Sequence, residues 1–445
     1  MGKKPLKERP PRLDLVDALV LEVHGLVHDQ AWLADRALER VVRRERKLWA
    51  SERRLVAESV YALVRAQGQL DFLLAGAMPG VPAPGVDLAT RYAAWLVSAG
   101  GASRAEAARR LAVQPSALAA LDGARARLDA LKDPLDRLAV EASLPRWIVE
   151  KLAAELGLEE ARTLAASMNA RAPLTVRANL LVGDRDALRE TLRGEGVGAE
   201  PTRHSPWGLV LDGHQNAFSL ASFRSGAFEI QDEGSQLIAL AAGARPGWTV
   251  VDACAGAGGK SLALAMEMHN KGSLHALDTD ADRLDDARRR ARRAHVHNLR
   301  AQVIPADEAA VEAVAPLAGK AKVVLVDAPC SGLGTLRRKP DARWRLKPGD
   351  PERFQALQKT LLGRFAALAE PGGRIVYATC AIGRMENDDV ADFAEQELGL
   401  APAPLAATLG EERLRALGGQ GNRLSLFPHR HGTDGFFMAA FEKRK

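Results

Sequence analysis

Residues 322 to 340 read KVVLVDAPCSGLGTLRRKP: an apolar, β-branched run that stops at an acid, a proline and a cysteine. The chain has 3 cysteines in 445 residues, and each stands where such a run ends. Cys380 lies in GGRIVYATCAIGRMEND, residues 372–388, and Cys254 in WTVVDACAGAGGKS, residues 248–261. Runs that are apolar at nearly every position are buried on both faces, which is the pattern of strands in a parallel sheet covered by helices.

Working outward from that stretch, the rhythm after residue 225 is strand, helix, strand. Strands are predicted at WTVVDAC, GSLHALD, RAQVIPAD, KVVLVDAP and GRIVYATC, with helical stretches between most of them. GFFMAAFEK, 435–443, reads as a last, antiparallel strand. The expected fold of 225–445 is a Rossmann-like α/β domain. Ligands of such sheets bind at the carboxyl ends of the strands, so the three thiols converge on one crevice.

Upstream, residues 13–140 carry apolar positions at helical spacing, as in LVDALVLEVHGLV, ASERRLVAESVYALVRAQGQLDFLLAGAM and DLATRYAAWLVSAG, broken by the Pro/Gly loop MPGVPAPGV at 78–86. An all-helical domain is predicted there. From SLPRWIVEKLAAELG the texture changes. PLTVRANLL and GLVLDG read as strands and DRDALRETLRGEG as an amphipathic helix, so 143–224 is taken as a small α/β module. Residues 1–12, MGKKPLKERPPR, are basic with no apolar stretch after them, and read as a disordered arm rather than a signal peptide.

Composition narrows the class. Hydrophobic residues make up 47% and charged residues 27%, ordinary for a soluble globular protein, and the net charge is +6, which suits a polyanionic partner. Basic residues gather in RVVRRERKLWASERR, 40–54, as a solvated helix face or an RNA-facing surface. No apolar run is long enough to span a membrane. Three scattered cysteines make neither a disulfide framework nor a zinc site, so no metal is expected and the thiols are expected to stay reduced in the cytoplasm.

The crevice residues carry the chemistry. In VVDACAGAGGK, Gly256, Gly258 and Gly259 allow a tight turn against a ligand before a helix, and the spacing is not that of a Walker A loop. About 20 residues on, Asp278 ends the second strand where an acid would bind ribose hydroxyls, while Asp280 suits a helix N-cap. Asp307 ends the third. Carboxylates at three strand ends repel a pyrophosphate and suit an adenosine moiety, pointing to S-adenosylmethionine more than to NAD. A lone cysteine is usually an inert core residue. Cys330 and Cys380 at neighbouring strand ends beside a nucleoside crevice read instead as reactive thiols. A thiolate adds to carbon 6 of a pyrimidine and makes carbon 5 nucleophilic toward a sulfonium methyl; a second thiol helps eliminate the first.

These stretches resemble the bacterial 16S rRNA (cytosine-carbon-5) methyltransferase family with an N-terminal NusB-like domain. DAPCSGLGTLRRKPDARW and YATCAIGRMEN follow in the family's order, with FEIQDEGSQLIAL before the Gly-rich turn and HGTDGFFMAAFEK at the end. ASERRLVAESVYALVRAQGQLDFLL resembles the NusB-like domain, and SLPRWIVEKLAAELG with NARAPLTVRANLL the linker module. The resemblance implies an S-adenosylmethionine-dependent methyltransferase acting on carbon 5 of a cytosine in 16S rRNA, a monomer. The same chemistry on tRNA or large-subunit rRNA, and a silent RNA-binding assembly factor, are the alternatives. No Asn/Asp-Pro-Pro-Tyr motif is present to hold an exocyclic amine.

By the same resemblance, Cys380 is the nucleophile, Cys330 promotes release of the methylated RNA, and Asp327 sits at the junction of cofactor and base. Cys254, Ala255, Gly256, Ala257, Gly258, Gly259 and Lys260 form the cofactor loop, with Lys260 also reaching the active site, Asp278 on the ribose and Asp307 near the adenine. The chain departs from the family at one point. Where the loop usually reads Cys-Ala-Ala-Pro-Gly-Gly-Lys, it has Cys-Ala-Gly-Ala-Gly-Gly-Lys, and the missing proline leaves the free loop more freedom. Arg337, Arg338, Lys339, Arg343 and Arg345 around Trp344 are expected to track RNA phosphates while the indole stacks on a base. The target cytosine has to leave its stack for a thiol to reach it.

Overall fold

The computed structural model describes residues 10–213 and 216–445. The chain divides into two compact units: residues 1–170 with 336–348, and residues 171–335 with 349–445. Of the arm, residues 1–9 lie outside the described residues. Arg12 departs from the expected disorder. Its Nε donates to Glu52 Oε1 at 2.8 Å and its Nη2 to the Lys47 carbonyl at 3.0 Å.

The first unit is helical. Helices Leu13–His28, Ala50–Ala75 and Leu88–Ser98 enclose a core that includes Val16, Val20, Val60, Leu63 and Tyr92. Helices Pro134–Ala142, Arg146–Leu156 and Leu158–Asn169 also belong to this unit, which runs to residue 170. The basic stretch 40–54 is partly paired, Arg44 with Glu22 and Arg43 with Glu39.

Residues 336–348 join this unit although they stand between two strands of the other one. Arg343 is fully buried, and its Nη1 donates to Asn169 Oδ1 at 2.8 Å and to the Ser143 carbonyl at 3.2 Å. Trp344 Nε1 donates to the Val64 carbonyl at 2.7 Å. Arg337 is 8% exposed, and its carbonyl accepts from Arg65 Nη2. The side chains of Arg343 and Trp344, expected on RNA, instead hold the segment in the helical unit, and Arg337 is held there through its carbonyl. Lys339 and Arg345 are exposed, Arg345 pairing with Asp341 at 2.9 Å, and Arg338 is half-buried.

The second unit holds two sheets. Strands β1 (Leu174–Ala178), β2 (Ala199–Pro201), β3 (Gly208–Leu211) and β4 (Phe228–Ile230) form an antiparallel sheet in the order β2-β3-β1-β4. This small module therefore runs past residue 224 to include β4.

The larger sheet contains β5 (Thr249–Asp252), β6 (Ser273–Asp278), β7 (Leu299–Val303), β8 (Ala321–Asp327), β9 (Ala369–Thr379), β10 (Ala401–Pro402), β11 (Arg423–Leu426) and β12 (Phe436–Glu442). Its order is β10-β12-β9-β8-β5-β6-β7, with β11 also on β12. The five strands anticipated from apolar runs pair in parallel, and β12 lies antiparallel on β9. Val323, Val324, Leu325 and Val326 are all fully buried, which is why that run carries no alternation. Helices Glu233–Ala242 and Gly259–Glu267 cover one face; Asp350–Ala366 and Asp388–Gln396 cover the other. The strand order turns back at β5 and β8, which puts the ligand crevice at their carboxyl ends.

Replacing a mid-helix glycine by alanine ordinarily stabilises a helix by up to about 1 kcal/mol. At Gly68 a Cβ would stand 2.7 Å from the Trp344 ring and 2.6 Å from Pro79 Cβ. Gly68→Ala is therefore expected to destabilise by about 1–3 kcal/mol, an overpacking cost read from urea unfolding. In a Trp344→Ala background the penalty is expected to shrink without vanishing, because Pro79 Cβ still stands 2.6 Å away.

Candidate active site

Backbone pairing builds the thiol pair. Asp327 and Ala378 are register partners on β8 and β9, and the pairing continues one step as the Ala328 amide donates to the Ala378 carbonyl at 2.9 Å. Cys330 and Cys380 then leave the sheet side by side, Sγ to Sγ 3.1 Å, both free thiols and both half-buried. The Cys380 amide donates to Cys330 Sγ at 3.3 Å.

Side chains that the motif reading did not single out fix this corner. Gln358 Nε2 donates to the Pro329 carbonyl at 2.9 Å and to Glu386 Oε1 at 3.1 Å; that same oxygen accepts from the Ser331 amide at 2.8 Å. The Tyr377 hydroxyl donates to the Glu386 carbonyl at 2.6 Å, and Thr379 Oγ1 to Asn387 Oδ1 at 2.6 Å. Glu386 and Asn387 end the quoted YATCAIGRMEN, so the signal was there without a role attached. Gly334 donates to the Cys380 carbonyl at 2.9 Å and accepts from the Gly435 amide at 2.8 Å. A Cβ on Gly334 would fall 2.2 Å from the Gly435 carbonyl oxygen, so only glycine fits there.

Lys260 reaches the same corner. Its Nζ lies 2.6 Å from Asp327 Oδ2 and 5.8 Å from the centroid of the Phe436 ring. Burial works to lower the ammonium's pKa, but Asp327 and the neighbouring Cys380 and Asp252 outweigh it, so the pKa is raised and the charge retained. The Cys330 thiol is held well above its ordinary range, first by the hydrogen bond to Cys380 and then by burial. Cys254 is also raised, by burial, and packs against the apolar core.

The glycine-rich turn lies at the end of β5. Gly256 has φ +53°, and its amide donates to Asp278 Oδ2 at 2.7 Å; Asp278 Oδ1 accepts from the Asp280 amide at 2.9 Å. Asp280 also caps the helix Ala281–Arg293, as its spacing suggested. At Gly258, φ +78°, a Cβ would stand 2.8 Å from Ala287 Cβ, so the glycine lets that helix close on the turn. Two arginines, Arg177 buried and Arg290 half-buried, hold the turn's carbonyls. Arg290 Nη1 donates to Ala257 O at 2.7 Å, and Arg177 Nη1, from β1, to Gly259 O at 2.9 Å. Both lean on β4: Arg290 Nη2 pairs with Glu229 at 3.0 Å, and Arg177 also donates to Gln231, just beyond that strand. Ala257 replaces the family's proline, so a tertiary hydrogen bond grips the residue that lacks the ring. Asp307 is exposed and bonds the Ala309 amide; it makes no hydrogen bond to the turn among the described residues.

Comparison with known proteins follows the same lines. Residues 239–442 match the family described as 16S rRNA methyltransferase RsmB/F, and residues 144–217 the ferredoxin-like domain of RsmF/B-like methyltransferases. The chain is 34% identical over 323 residues to a probable ribosomal RNA small subunit methyltransferase B of Bacillus subtilis, covering 71% of this chain and 70% of that one. It is similar to the crystal structure of PH0851 at TM-score 0.76 and 25% identity, with 98% and 100% covered. The fold is also that of NSun6 from Pyrococcus horikoshii, solved with SFG, at TM-score 0.58 and 19% identity over 68% of this chain and 98% of that one.

S-adenosylmethionine is the cofactor. The residues present fit it. The space in front of Gly256 is open to a ligand, no atom lying within 4 Å of where its Cβ would be. Asp278 is half-exposed with lone pairs left over for ribose hydroxyls. Asp278 and Asp327 make an acidic strand-end pair that suits a cationic sulfonium rather than phosphates. Among the described residues no group of histidine, cysteine or carboxylate side chains is placed to hold a metal, and no helix is long and apolar enough to cross a membrane.

Two predictions follow from these contacts. Arg290→Ala frees the Ala257 carbonyl and is expected to weaken S-adenosylmethionine binding about tenfold by calorimetry, the worth of one charge-assisted hydrogen bond. The second concerns pH. Burial raises the Asp252 carboxyl from 3.8 to about 7, and only Ser261 Oγ, at 2.6 Å, bonds it. The folded chain keeps a proton that the unfolded chain releases. That contribution is full below pH 3.8 and is lost as the pH rises to about 7, at most roughly 4 kcal/mol. Asp252→Asn cannot ionise, so its melting temperature is expected to gain on the wild type between pH 4 and 7 and then hold a constant lead.

Proposed function

Because the chain belongs to the RsmB/F family of 16S rRNA methyltransferases, we propose that it methylates carbon 5 of a cytosine in 16S rRNA through a covalent cysteine–cytosine intermediate. The observation that carries the reading is the pair of free thiols 3.1 Å apart at adjacent strand ends, beside the Lys260–Asp327 ion pair.

Cys380 is the nucleophile. As a thiolate it is steadied by the S–H of Cys330 and by the Lys260 ammonium, and the raised pKa of Cys330 supports this division, since that thiol keeps its proton. Attack of Cys380 Sγ on carbon 6 saturates the ring bond and leaves carbon 5 electron-rich. S-adenosylmethionine supplies the electrophilic methyl. Asp327 anchors Lys260 and presents a carboxylate oxygen to the amino edge of the base. Cys330 first passes its own proton to solvent; its thiolate then takes the proton from carbon 5, and the carbon 6–sulfur bond breaks to restore the double bond and release Cys380 as a thiolate.

The turn from Cys254 to Lys260 holds the cofactor with Asp278 on its ribose; Asp307 is assigned to the adenine from the resemblance alone. The helical unit, NusB-like by the same resemblance, binds RNA through exposed cations such as Lys339. The enzyme acts as a monomer in the cytoplasm.

Cys330→Ala mixed with unmethylated cellular RNA and S-adenosylmethionine is expected to accumulate a protein–RNA adduct stable to denaturant, because addition proceeds and release does not. Adding Cys380→Ala abolishes it. The trapped sequence names the RNA and so separates 16S rRNA from tRNA and large-subunit rRNA. No adduct with intact 16S rRNA present would sink the assignment of the two thiols.

A further inference from the structure

Away from the thiols, the second unit holds a cavity of about 690 Å³ along the edge strand β11, within the size range of small-ligand sites. Besides β11, three regions line it: Arg203 and His204 between β2 and β3, residues 415–418 at the end of the helix Glu411–Ala416, and Phe427, Arg430 and His431 in the segment after β11. Its charge is one-sided. The lining carboxylate, Asp388, is already engaged by Arg423, which also pairs with Asp392 and Glu395 at 2.8 Å. Arg203 and Arg415 are exposed in the rim, and neither has a carboxylate within ion-pair reach among the described residues.

A second observation comes from inside. His204 is 7% exposed and lines the cavity, and its Nε2 has no hydrogen-bond partner among the described residues. A buried polar atom left unmade costs free energy, and such atoms in native folds commonly meet a ligand or water. His204 is rigidly placed: its amide donates to Glu233 Oε1 at 2.5 Å, and its carbonyl accepts from Arg413 Nε at 2.7 Å. Burial lowers the imidazole's pKa, with Glu233 opposing, so the ring enters the cavity neutral and can donate from Nε2.

We propose that this cavity binds a backbone phosphate of the RNA strand being methylated, with Arg203 and Arg415 on the phosphate and His204 Nε2 hydrogen-bonding it or the adjoining sugar. Position favours an RNA source. Phe437 in the cavity wall is the register partner of Thr379, the residue before Cys380, and Ser425 in the same wall is the partner of Phe437. The wall therefore lies two strand spacings, about 10 Å, across the sheet from the nucleophile's strand. A free nucleotide carries the same phosphate and is the competing source. The inference rests on the RNA-methylating reading above.

The test uses the full-length protein with both arginines changed, Arg203→Gln/Arg415→Gln, and the double lysine variant as a charge-keeping control. Binding to a single-stranded 16S rRNA fragment is followed by fluorescence anisotropy across a salt series, and S-adenosylmethionine binding by calorimetry. The glutamine variant is expected to lose RNA affinity about tenfold or more and to show a salt slope shallower by about 0.7–1.4, with cofactor affinity unchanged and the lysine variant near wild type. Equal RNA affinity and slope in wild type and glutamine variant overturn the proposal. So does tight binding of uridine monophosphate that the variant loses while its RNA affinity stays, which would mark a free-nucleotide site. Wild type that binds S-adenosylmethionine but no RNA overturns the functional reading beneath it as well. Loss in the glutamine variant alone, with intact wild type, speaks only to the cavity.

Discussion

The parallel pairing of β8 with β9 is the constraint on which the site depends. Register sets Asp327 opposite Ala378, and the two strands run out together at the same height. Once that register holds, Cys330 and Cys380 cannot avoid each other, although 50 residues separate them along the chain. A slip of one residue would send each side chain of β8 to the opposite face, exchanging Val323 and Leu325 with Val324 and Val326 between two close-packed cores. The hydrophobic effect that folds the sheet therefore also sets the spacing of the thiols.

Polar contacts then refine what register establishes. Glu386 is the hub: its side chain holds Gln358 and the Ser331 amide, and its carbonyl holds Tyr377. Most of these groups are buried, where an unmet hydrogen bond is expensive, so the corner tolerates little rearrangement. Gly334 adds a steric element, since the two loop backbones meet where any side chain would intrude.

The cofactor turn shows local rigidity exchanged for tertiary rigidity. The chain lacks the family's proline at position 257, yet Arg290 grips that residue's carbonyl and Arg177 grips that of Gly259. Both arginines are braced by β4 and the residue after it, so the small antiparallel module contributes to the turn's shape. Backbone freedom lost by a ring and backbone freedom lost by a buried hydrogen bond serve the same end. The second depends on the whole unit being folded.

Much of this was legible in the chain alone. Apolar runs ending in acids and cysteines announced a parallel sheet with its chemistry at the strand ends, because burial on both faces and the crevice rule are properties of local pattern. That Lys260, Asp327 and the two thiols meet at one corner was readable from motifs for the same reason. Tertiary structure alone decided other matters. Arg343 and Trp344 look like RNA contacts in a basic, aromatic stretch, yet burial turned them into anchors within the helical unit. Cys254 resembles its two fellow cysteines in sequence, but the fold sets it against the apolar core and apart from the 3.1 Å pair. Arg177, Arg290 and Gln358 carry no local mark, since each acts on a carbonyl distant in sequence. Composition and period report what a segment prefers to bury; which partner it meets there depends on the rest of the chain.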